Sequence, residues 1–391
     1  MTALQDVRTE WQHIKYEETS AFTETYGFAG NQGVVNLEGI LIRPATVSDT
    51  LLIFMHPAST LQLLPVPRAA AATGSHVLCA ASRYARNDTA LILEKVLLDL
   101  GAWIRHARER LGYARVAIVG WSGGGSLALM YQAQAESPSI THTPAGDPVD
   151  IAGARLVPAD AIVYQAAHLS RAHLLLETID PSVTDELNPD DRDSSLDLYD
   201  PANPDQPAYS TQYIQRYRKA QLDRMRRITA TAKQTLAELK QRNTGELERG
   251  FIVHRTLADP RFLDPALDPN DRRPLWCYLG KPETVNTGPV GLARFTTLRS
   301  WLSQWSIDDS NGSGIANAAR IRAPLLVIEN SADDAVPQTH ARIAYEAAGS
   351  KDKTFRVIQG ATHYYAGQPE LLAQATALIQ DWLGKRGMPA R

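Results

Sequence analysis

The apolar positions of this chain change period in a regular way along its first half. Continuous apolar runs from Thr50 to Met55, His76 to Ala81, Val116 to Val119 and Ala161 to Tyr164 have the length of strands buried on both faces. Between the second and third, Leu93, Val96, Leu97, Leu100, Trp103, Ile104, Ala107 and Leu111 recur at three- and four-residue spacing. That spacing predicts a helix over 89–111 laying one face on a sheet, closed by Gly112. An Ala-rich stretch over 61–74 predicts another helix after Pro65 and Pro67. Strand-like pieces at 13–18 and 34–43, with Gly27, Gly30 and Gly33 as turn signals, predict an opening antiparallel hairpin. The alternation as a whole predicts an α/β fold: a mostly parallel central sheet covered by helices on both faces.

The alternation stops after Tyr164 and resumes only with the apolar run ending at Glu329. Roughly 150 residues thus separate two strands that ordinary connections join in far fewer, so the interval reads as an insertion. The expected organisation is a core in two parts, 1–168 and 321–391, around a large, mainly helical cap at 169–320. Within the insertion, 178–207 is rich in Asp, Asn and Pro and favours turns. A long helix is predicted over 209–243, and a second over 291–307 carrying Leu292, Phe295, Leu298, Trp301, Leu302 and Trp305. After it come a last strand at 353–358 and a closing amphipathic helix at 369–383.

Composition narrows the partners. The chain has 391 residues and a formal net charge of -3, which offers no bulk positive field for nucleic acid or an anionic membrane. A small-molecule substrate is the expected partner, and the oligomeric state is left open. The segment from Met1 to Glu10 lacks the basic-then-apolar pattern of a signal peptide, and no apolar run reaches membrane-spanning length, so a cytoplasmic location is expected. Cys79 and Cys277 fit no metal or redox spacing and read as buried thiols; no cofactor and no metal is expected. Asp191, Asp193, Ser195 and Asp197 alternate as in a calcium loop but lack its glycine and terminal glutamate. The Arg- and Lys-rich face of 216–242 reads as solvated and paired with acids nearby.

The chemistry centres on Gly120-Trp121-Ser122-Gly123-Gly124, set between a predicted strand and a predicted helix. It matches G-x-S-x-G, in which a sharp turn lifts the serine hydroxyl clear of the sheet and glycine makes room on either side. A serine hydroxyl needs a base within reach and a carboxylate to orient that base. Asn330-Ser331-Ala332-Asp333-Asp334-Ala335-Val336-Pro337 follows one late strand, and Gly360-Ala361-Thr362-His363 follows the next. On these residues the chain resembles the α/β-hydrolase fold superfamily over roughly 30–168 and 320–385, but not over the insertion. The resemblance implies Ser122 as nucleophile, His363 as base and Asp333 as its acid, with Asp334 the competitor.

Two N–H donors should face the developing oxyanion, and Gly123 should supply one. The other belongs in the loop after Met55, where this chain has His56-Pro57 in place of the family's His-Gly. Pro57 has no N–H, which leaves Ala58, with Ser59 as the alternative. His56, Ser59, Arg83, Tyr84, Trp121, Gln165, His168 and Tyr364 are the substrate-contact candidates, His56 also bracing its loop. The expected reaction is hydrolysis of a carboxylic ester or lactone of an apolar, medium-sized molecule through an acyl-enzyme. The same residues would also serve amide cleavage, carbon-carbon bond hydrolysis or acyl transfer, and a third reading is a non-catalytic binding protein on the same scaffold.

Overall fold

The computed structural model describes residues 6–18, 34–242, 244–336 and 338–390. β1 (Val7–Glu17) and β2 (Val34–Pro44) form the expected hairpin, with Val7 opposite Pro44 and Glu17 opposite Val34. The turn read at Gly27, Gly30 and Gly33 lies outside the described residues. There follow β3 (Thr50–Met55), α1 (Pro65–Ala72), β4 (His76–Ala80), α2 (Leu93–Glu109), β5 (Arg115–Ser122), α3 (Gly123–Glu136) and β6 (Ala161–Ala167).

The next segment holds α4 (Arg171–Thr178), β7 (Val183–Asp185), β8 (Asn188–Arg192), α5 (Thr211–Arg242), β9 (Gly250–Ile252), α6 (Pro282–Thr287), β10 (Phe295–Thr297), α7 (Leu298–Ser300) and α8 (Gly314–Ala318). The chain closes with β11 (Leu325–Asn330), α9 (Thr339–Ala347), β12 (Lys353–Ile358) and α10 (Pro369–Gly384).

Among the described residues, eight strands form the main sheet in the order β1-β2-β4-β3-β5-β6-β11-β12. From β4 to β12 every neighbouring pair is parallel, and the β1-β2 hairpin joins the β4 edge antiparallel. The continuous apolar runs have a direct cause in the packing. Leu51, Ile53 and Met55 of β3 point to one face, into a core with Val96, Leu100, Trp103 and Leu129 of α2 and α3. Leu52 and Phe54 point to the other, against Val66 and Ala70 of α1 and Ile379 and Trp382 of α10. Both faces are covered, so both sets of alternating positions must be apolar.

β6 and β11 are neighbours in the sheet, with Ile162 opposite Leu325, although the long segment separates them in sequence. That segment buries a core of its own, including Leu175, Met225, Ile228, Leu236, Leu298, Trp301 and Trp305. α5 is its long helix, as expected. The helix predicted over 291–307 is corrected. Phe295–Thr297 is a strand, β10, paired antiparallel with β9, and helical geometry begins only at Leu298. The β-branched pair Thr296-Thr297 suits the ribbon, and the Thr297 side chain then accepts from the Ser300 N–H to start the helix.

Beyond α7 the backbone widens into a π-turn over Trp301–Trp305, closed by the Ser306 N–H donating to the Trp301 carbonyl at 2.9 Å. The turn-rich stretch 178–207 likewise contains the small β7-β8 hairpin. α8 packs back onto the main core, where Ala318 and Ile321 join the α2-α3 side.

The basic face of α5 is paired within the chain: Arg218 with Asp259, Arg224 with Glu186, Arg226 with Asp308 and Lys233 with Asp309. Asp193 accepts from the Ser195 N–H, and Asp197 binds Arg255. Cys79 and Cys277 are buried and unbridged. Among the described residues no helix is long and apolar enough to cross a membrane.

Candidate active site

The β5-α3 junction puts Ser122 at the carboxyl edge of the sheet with φ of 55° and ψ of -124°. A non-glycine residue at positive φ is uncommon and strained, and here tight packing on both sides holds it. A Cβ on Gly120 would lie 2.4 Å from the Gly124 carbonyl oxygen, and one on Gly124 would lie 2.3 Å from the Met55 carbonyl oxygen. The flanking glycines are therefore required by close backbone approach, as the motif implied.

His363 follows β12 and is 1% exposed. Its Nδ1 lies 2.9 Å from Asp333 Oδ2, in the loop after β11. Asp333 Oδ1 accepts from the N–H groups of Ala335 and Val336 at 2.9 and 2.7 Å, which fixes the carboxylate. Asp334 meets the backbone instead: its Oδ1 accepts from the His363 N–H at 3.4 Å, and its carbonyl from the Tyr278 N–H at 2.9 Å. Burial, with Asp333 beside it, pushes the Asp334 carboxyl above its usual range.

Ser122 and His363 line one cavity of about 360 Å³. Its floor comes from the sheet loops, with His56, Ala58, Ser59, Trp121 and His168. Its far wall comes from the long segment, with Arg171, Leu174, Tyr278, Leu292 and Trp305. Among the described residues the Ser122 hydroxyl makes no hydrogen bond. Trp121 donates from Nε1 to the His363 carbonyl at 3.2 Å, and its ring lies 4.4 Å from the His363 ring, so it packs and lines the pocket at once.

The candidates drawn from sequence separate into two groups. His56, Ala58, Ser59, Trp121, His168 and Tyr364 reach the cavity with Ser122 and His363. Arg83, Tyr84 and Gln165 do not. Arg83 is turned the other way: its guanidinium binds Asp99 of α2, Tyr16 of β1 and Glu18, and its own N–H donates to Asp99. Tyr84 is buried in the core on the α2 side. Gln165 donates to the Tyr365 hydroxyl, which donates to Asn330, a relay beneath the site.

The expectation that Ala58 or Ser59 holds out a free N–H is also corrected. Both donate to His56 Nδ1, at 3.1 and 3.0 Å, because the chain folds tightly back over that ring after Pro57.

Sequence reading missed Arg171 and Tyr278. Arg171 opens α4, is buried, binds Asp88, and sets its guanidinium carbon 4.3 Å from the centre of the Trp305 ring. Its place just past the β6 strand end was the available signal. Tyr278 comes from a turn with no motif, and only the fold brings its ring to 6.3 Å from His363. Burial and the Arg171 charge act together on the nearby imidazoles. His56 is pulled down to about 3, with His363 contributing, and His168 falls well below the usual histidine range, so both rings are neutral at pH 7.

No family model matches the chain, and no curated protein matches it by sequence. Solved structures do match it in shape. The α/β hydrolase GrgF from Penicillium sp. sh18 gives a TM-score of 0.53 at 10% identity, over 97% of this chain and 99% of that one. DcsB, solved in complex with its substrate analogue, gives 0.52 at 12% identity, over 96% and 99%. Taken with the parallel sheet, its antiparallel edge hairpin and the strand-turn-helix at Ser122, these likenesses show that the chain has the α/β-hydrolase fold.

Proposed function

We propose that the protein hydrolyses a carboxylic ester or lactone of an apolar, medium-sized molecule through an acyl-enzyme on Ser122. His363 takes the Ser122 proton as the hydroxyl oxygen attacks the carbonyl, then returns it to the departing alkoxide. Water repeats the sequence and releases the acid. Asp333 holds the His363 ring in the tautomer that leaves Nε2 facing the serine, and the Gly123 N–H is one donor to the oxyanion. Attack and proton transfer draw Ser122 and His363 together, a contact that commonly tightens only with substrate in place.

One observation carries this reading: a serine held at positive φ shares a cavity with a histidine whose other ring nitrogen is bound to a buried carboxylate. Ester cleavage is favoured among the acyl transfers because an alkoxide leaving group demands least of the site. Residues 169–320 are read as the cap over that site, since Leu174, Tyr278, Leu292 and Trp305 line the cavity. The volume suits a small molecule, and Arg171 gives its mostly apolar wall one buried cation for an acceptor group on the substrate.

Purified protein should turn over p-nitrophenyl butyrate and be labelled on Ser122 by a fluorophosphonate. Ser122→Ala should lose both. Retention of turnover by Ser122→Ala would overturn the mechanism.

A further inference from the structure

The loop after β3 raises a question about the second oxyanion donor, since residues 57–59 offer no backbone N–H that is uncommitted. Pro57 has no N–H, and the Ala58 and Ser59 N–H groups both donate to His56 Nδ1. Two donors converging on Nδ1 require a lone pair there. The ring proton of neutral His56 is therefore on Nε2.

That Nε2 lies against the nucleophile turn. A Cβ built on Gly123 would lie 2.6 Å from His56 Nε2, against 3.2 and 3.3 Å from the carbons on either side of it, so Nε2 is the ring atom nearest that position, which sits over the ring at Nε2 and off its N–H axis. This gives Gly123, at a position that G-x-S-x-G leaves open, its own reason to be glycine. His56 lines the cavity shared with Ser122 and His363. Among the described residues Nε2 has no hydrogen-bond partner, and it is not an atom sealed inside the protein.

We propose that His56, through its Nε2–H, is the second oxyanion donor, acting beside the Gly123 N–H. This rests on the serine-hydrolase reading above. When Ser122 Oγ bonds to the carbonyl carbon, the C=O π pair moves onto oxygen, and that oxygen accepts from His56 Nε2–H and Gly123 N–H. On collapse the pair re-forms the C=O bond, the alkoxide leaves and takes its proton from His363, and the His56 proton stays in place throughout. The low pKa suits the role: a ring that remains neutral keeps one fixed donor and does not compete with His363 for the serine proton. The two loop amides, expected to be donors themselves, instead lock the tautomer and aim of the ring.

Two substitutions separate donation from bracing. His56→Asn keeps an acceptor near Nδ1 for the two amides but has no group at the Nε2 position. His56→Gln can place an N–H at the Nε2 position but gives up the Nδ1 acceptor. With p-nitrophenyl butyrate, His56→Asn should lose about 100- to 1000-fold in kcat at a KM within about threefold of wild type. Its affinity for a boronic acid that forms a tetrahedral adduct on Ser122 should fall in parallel. His56→Gln should retain at least roughly tenfold more kcat than His56→Asn.

Thermal melting and fluorophosphonate stoichiometry report whether each variant is folded with Ser122 in place. A folded His56→Asn with kcat near wild type, or a His56→Gln poorer than His56→Asn, would show that bracing is the whole role and overturn the proposal. If wild type neither turns over the ester nor labels, the serine-hydrolase reading fails, and the proposal falls with it whatever the His56 variants do.

Discussion

Asp333 and His363 are joined side chain to side chain, Oδ2 to Nδ1 at 2.9 Å, while the adjacent Asp334 reaches only the His363 backbone N–H at 3.4 Å. Neighbouring carboxylates in sequence thus have different tasks. Asp333→Asn should lower kcat for p-nitrophenyl butyrate by about 1000- to 10,000-fold, because the amide no longer holds the productive tautomer. Asp334→Asn should lose less than about tenfold, a backbone contact being shared with the rest of the turn. Steady-state kinetics on the two variants side by side decides the assignment.

Arg171 gives the cavity a selectivity that can be measured. A carboxylate on the acyl chain would meet its guanidinium, whereas a plain alkyl chain would not. With Arg171→Gln, KM for p-nitrophenyl hemisuccinate should rise by roughly 10-fold or more, consistent with losing a charged hydrogen bond, while KM for p-nitrophenyl butyrate should change far less. Equal changes for both esters would mean that Arg171 serves only to bind Asp88 and stack on Trp305.

Arg83 should behave as a structural residue. Its guanidinium is 3% exposed on the side chain and faces Asp99, whose side chain is 0% exposed. Arg83→Met leaves that carboxylate buried without its cation, which should cost about 3–5 kcal/mol of stability in urea unfolding. The kcat of the fraction that remains folded should stay near wild type, since Arg83 lies away from the cavity.

Gly124→Ala tests the close approach of β3 and α3. The added methyl would lie 2.3 Å from the Met55 carbonyl oxygen, a backbone atom with no room to retreat. A loss of about 1–3 kcal/mol is expected from the overpacking, together with lower kcat because the same strands set the position of Ser122.

Glu329, at 9% exposure in β11, gives stability a pH dependence. Burial pushes its carboxyl from 4.5 up to about 7, with Asp268 and Asp333 adding to the shift and Arg342 opposing it. Between those values the folded chain holds a proton that the unfolded chain has released. Its contribution is therefore full below pH 4.5 and lost as pH rises through 7. Glu329→Gln should raise Tm by roughly 2–4 °C at pH 8 and much less at pH 4.5. Melting curves at the two values check the sign.

What the sequence determined by itself is what local periodicity and short motifs can encode. A strand buried on both faces must be apolar throughout, so β3 to β6 were legible from Thr50 to Tyr164 without knowing what covered them. The strained turn at Ser122 needs glycines at fixed offsets, and the loops carrying Asp333 and His363 each follow a recognisable strand.

Tertiary structure alone decided where side chains on irregular backbone go. Arg83 stands at a strand end as a substrate contact would, but the buried Asp99 on α2 draws it to the opposite side. Arg171 and Tyr278 reach the cavity because the long segment folds over the sheet edge, and no spacing relates them to Ser122. Thr296 and Thr297 lie in a segment whose apolar stripe has helical period, yet β9 was there to pair with them. The amides of Ala58 and Ser59, expected to face the oxyanion, turn to His56 instead, since a buried ring nitrogen is a partner that only folding supplies.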